Sequence, residues 1–272
     1  MAENSGIPWT DHTFNPWWGC HKVSSGCQNC YAESLSARWG HEFWGKDAPR
    51  REMAEKYWRE PMKWDRWCGK HGVRRKVFVG SMCDVMEPRV DLSEWRSRLW
   101  DLIEATPNLD WLLLTKRPEE YRRLLPLDWI GDGCPQNVWV GCTVEDQRNY
   151  DARVEHLARV PAVVRFLSME PLLGPVSLGL LGAAPGSWGY GYREVGEIIN
   201  WVIVGAESGH SRRPFERDWA RRIRAECVSA GVPFFYKQEI SSGGRKIETP
   251  PLDGRLWTQS PSDDGFACDG YM

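Results

Sequence analysis

The sequence has no long apolar run. Nothing in its 272 residues approaches the ~20 consecutive apolar residues a membrane-spanning helix needs, so no membrane association is expected. Met1–Thr10 carries neither a basic cluster nor an apolar core, so no secretory signal is expected either. No G-x-G-x-x-G follows any apolar run, which argues against a dinucleotide-binding sheet. Charge of one sign is also missing. With 35 basic and 37 acidic residues the net charge is −2, so any surface for a polyanion has to be local. Finally, the nine cysteines are odd in number and irregular in spacing. Without an export signal, that pattern points to a reducing cytoplasm in which thiols are kept for metal or chemistry.

What is present describes an ordinary soluble globular chain with two exceptions. The hydrophobic fraction of 42% and charged fraction of 26% are typical, and the length supports one large domain with an appendage. The exceptions are the seventeen tryptophans and one cysteine-rich stretch. The division expected is a main domain over 1–240 and a polar tail over 241–272, where periodic apolar content fades and loose packing is expected.

Along the main domain, short apolar runs alternate with helical periodicity. Strands are expected near Thr13-Phe14, over 76–82, 111–115, 138–143, 163–168 and 201–205, and over 233–236. Helices are expected over 93–106, from Pro118 to about Leu125, and over 146–159 and 216–230. Gly182–Gly191 reads as a mobile loop. Continuous rather than alternating hydrophobicity means strands buried on both faces, hence a parallel sheet with helices outside. The fold class expected is α/β, a partial TIM-like (β/α) barrel of six to seven units, with a doubly wound sheet as competitor.

The strands end in polar residues: Cys83-Asp84, Lys116-Arg117, Cys142-Thr143-Val144-Glu145, Met169-Glu170, Glu207-Ser208 and Lys237-Gln238-Glu239. In parallel α/β barrels that end is the functional face. The cysteine stretch belongs to the same face. Cys20, Cys27 and Cys30 stand in a C-x6-C-x2-C spacing on a Gly- and Ser-rich loop that leaves a strand and enters a helix. Three thiols without an evident fourth suit an iron–sulfur cubane with one open iron. A zinc tetrahedron completed by His21, His12 or Cys68 is the alternative, and a disulfide a weaker one.

The cysteine arrangement resembles the radical S-adenosylmethionine superfamily, whose usual signature is C-x3-C-x2-C after the first barrel strand. It departs in the first gap and in placing the aromatic, Tyr31, after the last cysteine. Three further stretches, Asn15-Pro16-Trp17-Trp18-Gly19-Cys20, Leu113-Leu114-Thr115-Lys116-Arg117-Pro118 and Val204-Gly205-Ala206-Glu207-Ser208-Gly209, resemble the bacteriophage-associated "three-Cys-motif" family of uncharacterised proteins over most of 7–238. The superfamily resemblance implies that Cys20, Cys27 and Cys30 hold a [4Fe–4S] cluster. S-adenosylmethionine would bind the open iron, and an external electron donor would drive its cleavage to a 5′-deoxyadenosyl radical. In that reading Asp84, Glu170, Glu207 and Ser208 are candidates for the ammonium or ribose hydroxyls. Lys116, Arg117 and Arg213 are candidates for the carboxylate. Cys83 and Cys142 are candidates for returning a hydrogen atom to the substrate, since a thiol S–H bond is weak.

Residues 39–75 interleave Trp and Arg, a composition that tracks a phosphate backbone and stacks bases, or equally seals a barrel side with tryptophan. With the family's phage association this leans toward a nucleic-acid substrate, DNA above all, for base modification or lesion repair. A zinc-stabilised nucleic-acid-binding or phage accessory protein without catalysis is the competing function. Neither the oligomeric state nor the net reaction is legible.

Overall fold

The apolar runs become strands because each can bury both faces. The structure, a computed structural model, describes residues 5–131, 133–181, 193–209, 211–241 and 243–261. Numbered along the main sheet, the strands are β1 (His12–Phe14), β2 (Arg75–Val79), β3 (Leu109–Thr115), β4 (Val138–Thr143), β5 (Val164–Met169), β6 (Trp201–Gly205) and β7 (Phe234–Ile240). An eighth, β8 (Lys246–Glu248), completes the sheet. Their order in the sheet follows the chain, with every pair parallel until β8 adds antiparallel to β7.

The sheet is a curled half-barrel, and Trp9 shows the curl. In a flat sheet β2 and β6 stand four strand spacings apart, about 19 Å. Yet the Trp9 ring lies 4.8 Å from Phe78 on β2 and 6.1 Å from Trp201 on β6. The concave face is filled by Phe78, Leu112, Trp139, Phe166, Trp201, Ile203 and Phe235, closed below by Trp9. The alternate residues, among them Val77, Leu113, Val140, Cys142, Leu167 and Val202, face outward into a larger core under the helices. A first helix, α1 (Tyr31–Arg38), packs with Trp18 and Met82 in a separate small cluster. The outer helices over the larger core are α2 (Glu60–His71), α3 (Ser93–Glu104), α4 (Tyr121–Leu124), α5 (Gln147–Ala158) and α6 (Arg217–Ser229). Among the described residues no helix is long and apolar enough to cross a membrane.

Two sequence expectations need correction. The last strand does not stop at Tyr236 but runs to Ile240, because β8 pairs Gln238 with Glu248 and Ile240 with Lys246. Apolar content could not show that extension, since its partner strand is polar. The tail is not loose as far as residue 261. Leu252 is fully buried, the Tyr236 N–H donates to the Trp257 carbonyl at 2.8 Å, and the Trp201 indole donates to the Gln259 carbonyl at 2.8 Å. The Gly182–Gly191 loop lies outside the described residues, as does Cys268.

The Trp/Arg-rich region divides by position. Trp58 and Trp64 are buried and seal the outer layer, Trp64 stacking on His12 at 4.2 Å. Trp67 is half-exposed at the far end of α2, under the Arg75 guanidinium. Trp39 and Trp44, with Arg50 and Arg51, lie beside the cysteine loop.

Candidate active site

The cysteine loop crosses the mouth of the half-barrel and is tied to strand ends around it. Asn15, fully buried after β1, donates to Ser81 Oγ at 2.9 Å and accepts the Met82 N–H at 2.7 Å. Trp17-Trp18 then pairs with Arg51-Glu52, and the Gly19 N–H donates to the Met82 carbonyl. Gly19 has φ 113°, and a Cβ there would sit 2.5 Å from the Phe43 carbonyl, so the approach requires glycine. Cys20 follows, bridged to Trp44.

The turn carrying Cys27 is held from β4. Ser24 Oγ donates to Glu145, and Gly26 packs so closely on the Glu145 carboxylate that no Cβ fits. Glu145 is itself fully buried and paired with Arg153 at 2.5 Å. From β6, Glu207 accepts the Asn29 amide at 3.1 Å and is clamped by Arg213, whose Nη1 also donates to the Ser25 carbonyl at 2.9 Å. Burial works to raise the Glu207 pKa, but the Arg213 and Asn29 hydrogen bonds outweigh it and hold the carboxyl below its usual range. Cys30 immediately precedes α1, at its N-terminus.

The three thiols are unpaired and half-exposed, and all three line one cavity of about 400 Å³. Of the residues singled out in the sequence, Cys83, Asp84, Lys116, Arg117, Glu170, Glu207 and Ser208 line it too. Their commitments differ. Asp84 is saturated: Thr115 Oγ1 and the Met86 N–H bond one oxygen, Arg117 Nη1 and the Lys116 N–H the other. Arg117 Nη1 bonds Asp84 at 2.7 Å and Nη2 the His21 carbonyl at 2.9 Å. Glu170 accepts both Lys237 Nζ, at 2.6 Å, and Ser208 Oγ, at 3.2 Å. Lys116 makes no ion pair among the described residues and faces the same space. Lys237 and Gln238, which the apolar pattern puts just past the last strand, lie within it and line the same cavity.

Two candidates are not in the cavity. Arg213 stands behind Glu207. Cys142 points the other way: on β4 the inward position is Gly141, pressed against the Phe166 ring, so its neighbour must face the helices. Burial pushes the Cys142 thiol up to about 12. Cys83, in contrast, does line the cavity, and burial raises its pKa well above the ordinary thiol value, so it remains S–H at neutral pH.

The residues fit an iron–sulfur cluster better than a single ion. His12 and Cys68 are buried under the outer helices, away from the cysteine loop, so neither can complete a zinc tetrahedron. His21 does line the cavity, but its Nδ1 meets Glu87 at 2.7 Å. Among the described residues, no three His, Cys, Asp or Glu side chains converge to hold one metal ion. Three thiols spread over one loop, with open space between them and further polar groups, instead suit a polynuclear cluster with a free coordination site.

Fold and site together define an α/β half-barrel protein with a cysteine-loop centre at the strand C-termini. The chain belongs to the DUF5131 family, described as a protein of unknown function, whose model matches residues 4–261. No curated protein matches it. Among solved structures it is similar to a cysteine-to-serine mutant of spore photoproduct lyase, at 11% identity and a TM-score of 0.48 over 89% of this chain and 69% of that one. A complex of spore photoproduct lyase with dinucleoside spore photoproduct gives 12% identity and a TM-score of 0.46, with 89% and 69% covered. A double mutant with bound AdoMet and the same dinucleoside gives 10% and 0.47, with 88% and 68% covered.

Proposed function

We propose that this chain is a radical S-adenosylmethionine enzyme acting on nucleic acid, with Cys20, Cys27 and Cys30 holding a [4Fe–4S] cluster. The observation that carries the reading is that three unpaired thiols from one loop line a single cavity together with polar strand ends. When bound, the cluster and S-adenosylmethionine supply one-electron cleavage of a sulfonium to a carbon radical that takes hydrogen from the substrate.

The chain's own residues then do the rest. Lys116, which lines the cavity and makes no ion pair among the described residues, offers its ammonium to the methionine carboxylate. The Glu170–Lys237–Ser208 group presents an acceptor and donors to the methionine ammonium or the ribose. Asp84, Arg117, Glu207 and Arg213 hold the loop in place. Cys83 gives its hydrogen to a substrate carbon radical: the S–H bond breaks, a C–H bond forms, and an external electron with a proton restores the thiol. Outside the cavity, Trp39 is 52% exposed and stacks on Trp18 at 5.3 Å, with exposed Arg38 and Arg51 near it. That platform suits a base with its phosphates.

Anaerobic reconstitution with iron and sulfide tests the reading. The expected product is brown, with about four irons per chain in a [4Fe–4S] site, and on reduction it releases 5′-deoxyadenosine from S-adenosylmethionine. A colourless protein that takes up stoichiometric zinc instead would replace the reading with a structural metal site.

A further inference from the structure

We propose that Arg117 is a positioning residue that sets the reduction potential of the cluster, resting on the assignment of Cys20, Cys27 and Cys30 as its ligands. Arg117 is only 3% exposed, and its Nη1 lies 3.9 Å from Cys20 Sγ, in hydrogen-bond contact for a sulfur acceptor. The guanidinium cannot swing away. Asp84 holds Nη1 at 2.7 Å, the His21 carbonyl holds Nη2 at 2.9 Å, and Thr115 Oγ1 accepts the Arg117 backbone N–H at 2.9 Å. Asp84 is fixed in turn by Thr115 Oγ1 and the Met86 N–H.

The other buried carboxylates beside the loop are already balanced. Glu87 accepts Arg50 Nε at 2.9 Å and, on its other oxygen, Arg50 Nη2 at 2.6 Å beside His21. Glu145 is paired with Arg153 and Glu207 with Arg213. Arg117 is therefore a cation aimed at sulfur, its Nη1 shared between Cys20 and the counter-ion Asp84. Two of the ligands differ accordingly: Cys20 receives a guanidinium, whereas the hydroxyl beside Cys27, Ser24 Oγ at 3.9 Å, already gives its hydrogen to Glu145. Reduction adds one negative charge to the cluster. A buried cation at the ligand sulfur favours the reduced form, and hydrogen bonds to sulfur and burial are the protein's means of tuning such centres. Removing Arg117 also leaves Asp84 uncompensated, which adds to the effect. Removing the Asp84 charge alone acts in the opposite sense.

The test is a spectroelectrochemical titration of the reconstituted full chain, comparing wild type with Arg117→Gln, Arg117→Lys and Asp84→Asn. Arg117→Gln should lower the reduced-to-oxidised ratio about tenfold at a fixed applied potential, a shift of ~59 mV for a one-electron couple. Asp84→Asn should move it upward. Arg117→Lys, which keeps the charge but loses the fork, should fall between wild type and Arg117→Gln. A merely structural Arg117 would change iron content or melting temperature and leave the potential of the loaded fraction where it was, and that result overturns the inference. If Arg117→Gln loads no iron, the opposite displacements of Arg117→Lys and Asp84→Asn decide; equal potentials overturn it. A wild type that assembles no cluster fails the ligand assignment itself, and the inference with it.

Discussion

Cys83 lies beyond the end of β2, in the segment that lines the cavity, whereas Cys142 lies inside β4, where pleat decides its face. Alternation requires Gly141 and Cys142 to face opposite sides, but it does not say which faces inward. The Phe166 ring decides it, and that contact comes from a strand 25 residues on. Cys142→Ala should therefore leave iron content and cofactor cleavage unchanged, whereas Cys20→Ala, Cys27→Ala or Cys30→Ala should reduce iron to a small fraction of wild type. Iron assay and visible absorption read both. The acidic strand ends were legible as a group, yet their individual work was not. Glu145 meets Ser24 across 121 positions of sequence, and Glu207 meets Asn29 across 178. Because the folded pKa of Glu207 is depressed, its pairing stabilises the loop above the ordinary carboxylate pKa. That stability is lost as pH falls through the folded value. In acid titrations of the metal-free chain, Glu207→Gln should flatten the decline in melting temperature below about pH 4.5; an unchanged decline would assign the acid sensitivity to other carboxylates.

At the scale of elements, the interior strands were readable because parallel strands buried on both faces are continuously apolar. The exception is the end of β7, where Lys237, Gln238 and Glu239 continue the strand and deliver Lys237 to the site. Edge pairing with a polar strand leaves no apolar signal. A second feature, also hidden in the sequence, is the reliance on missing side chains. At Gly141 a Cβ would enter the Phe166 ring at 2.5 Å, inside a core with no free volume on that side. Gly141→Ala should cost about 1–3 kcal/mol by overpacking, lowering the melting temperature by very roughly 2–10 °C for a chain of this size. Adding Phe166→Leu should return part of that loss. If the double variant melts no higher than Gly141→Ala alone, the ring is not the source of the strain.

The whole molecule is nearly neutral, so the nucleic-acid substrate proposed for it would be held by the aromatic platform and a few nearby arginines rather than by a general field. Beside the cysteine loop Trp18 stacks on Trp39 and meets His41 edge-on, and His41 stacks on Phe43, with Arg51 Nη1 3.4 Å from His41 Nε2. Burial on one side fixes Trp18 at 7% exposure and leaves Trp39 half open, so a base can add to the stack without any rearrangement. Such a surface predicts a particular salt dependence. Each phosphate neutralised on a single strand contributes about 0.7 to the slope of log affinity against log salt. Arg38 and Arg51 together should therefore give a slope of only roughly −1.4. Stacking is uncharged, so Trp39→Ala should weaken binding of a short single-stranded DNA by ~1–3 kcal/mol while leaving the slope alone. Arg51→Gln should do the reverse, with a smaller loss at physiological salt and a slope reduced by about 0.7. Fluorescence anisotropy over a salt series measures all three proteins. Equal affinity of Trp39→Ala and wild type at every salt concentration would remove the platform from the substrate path and leave its tryptophans as cover for the loop that carries Cys20.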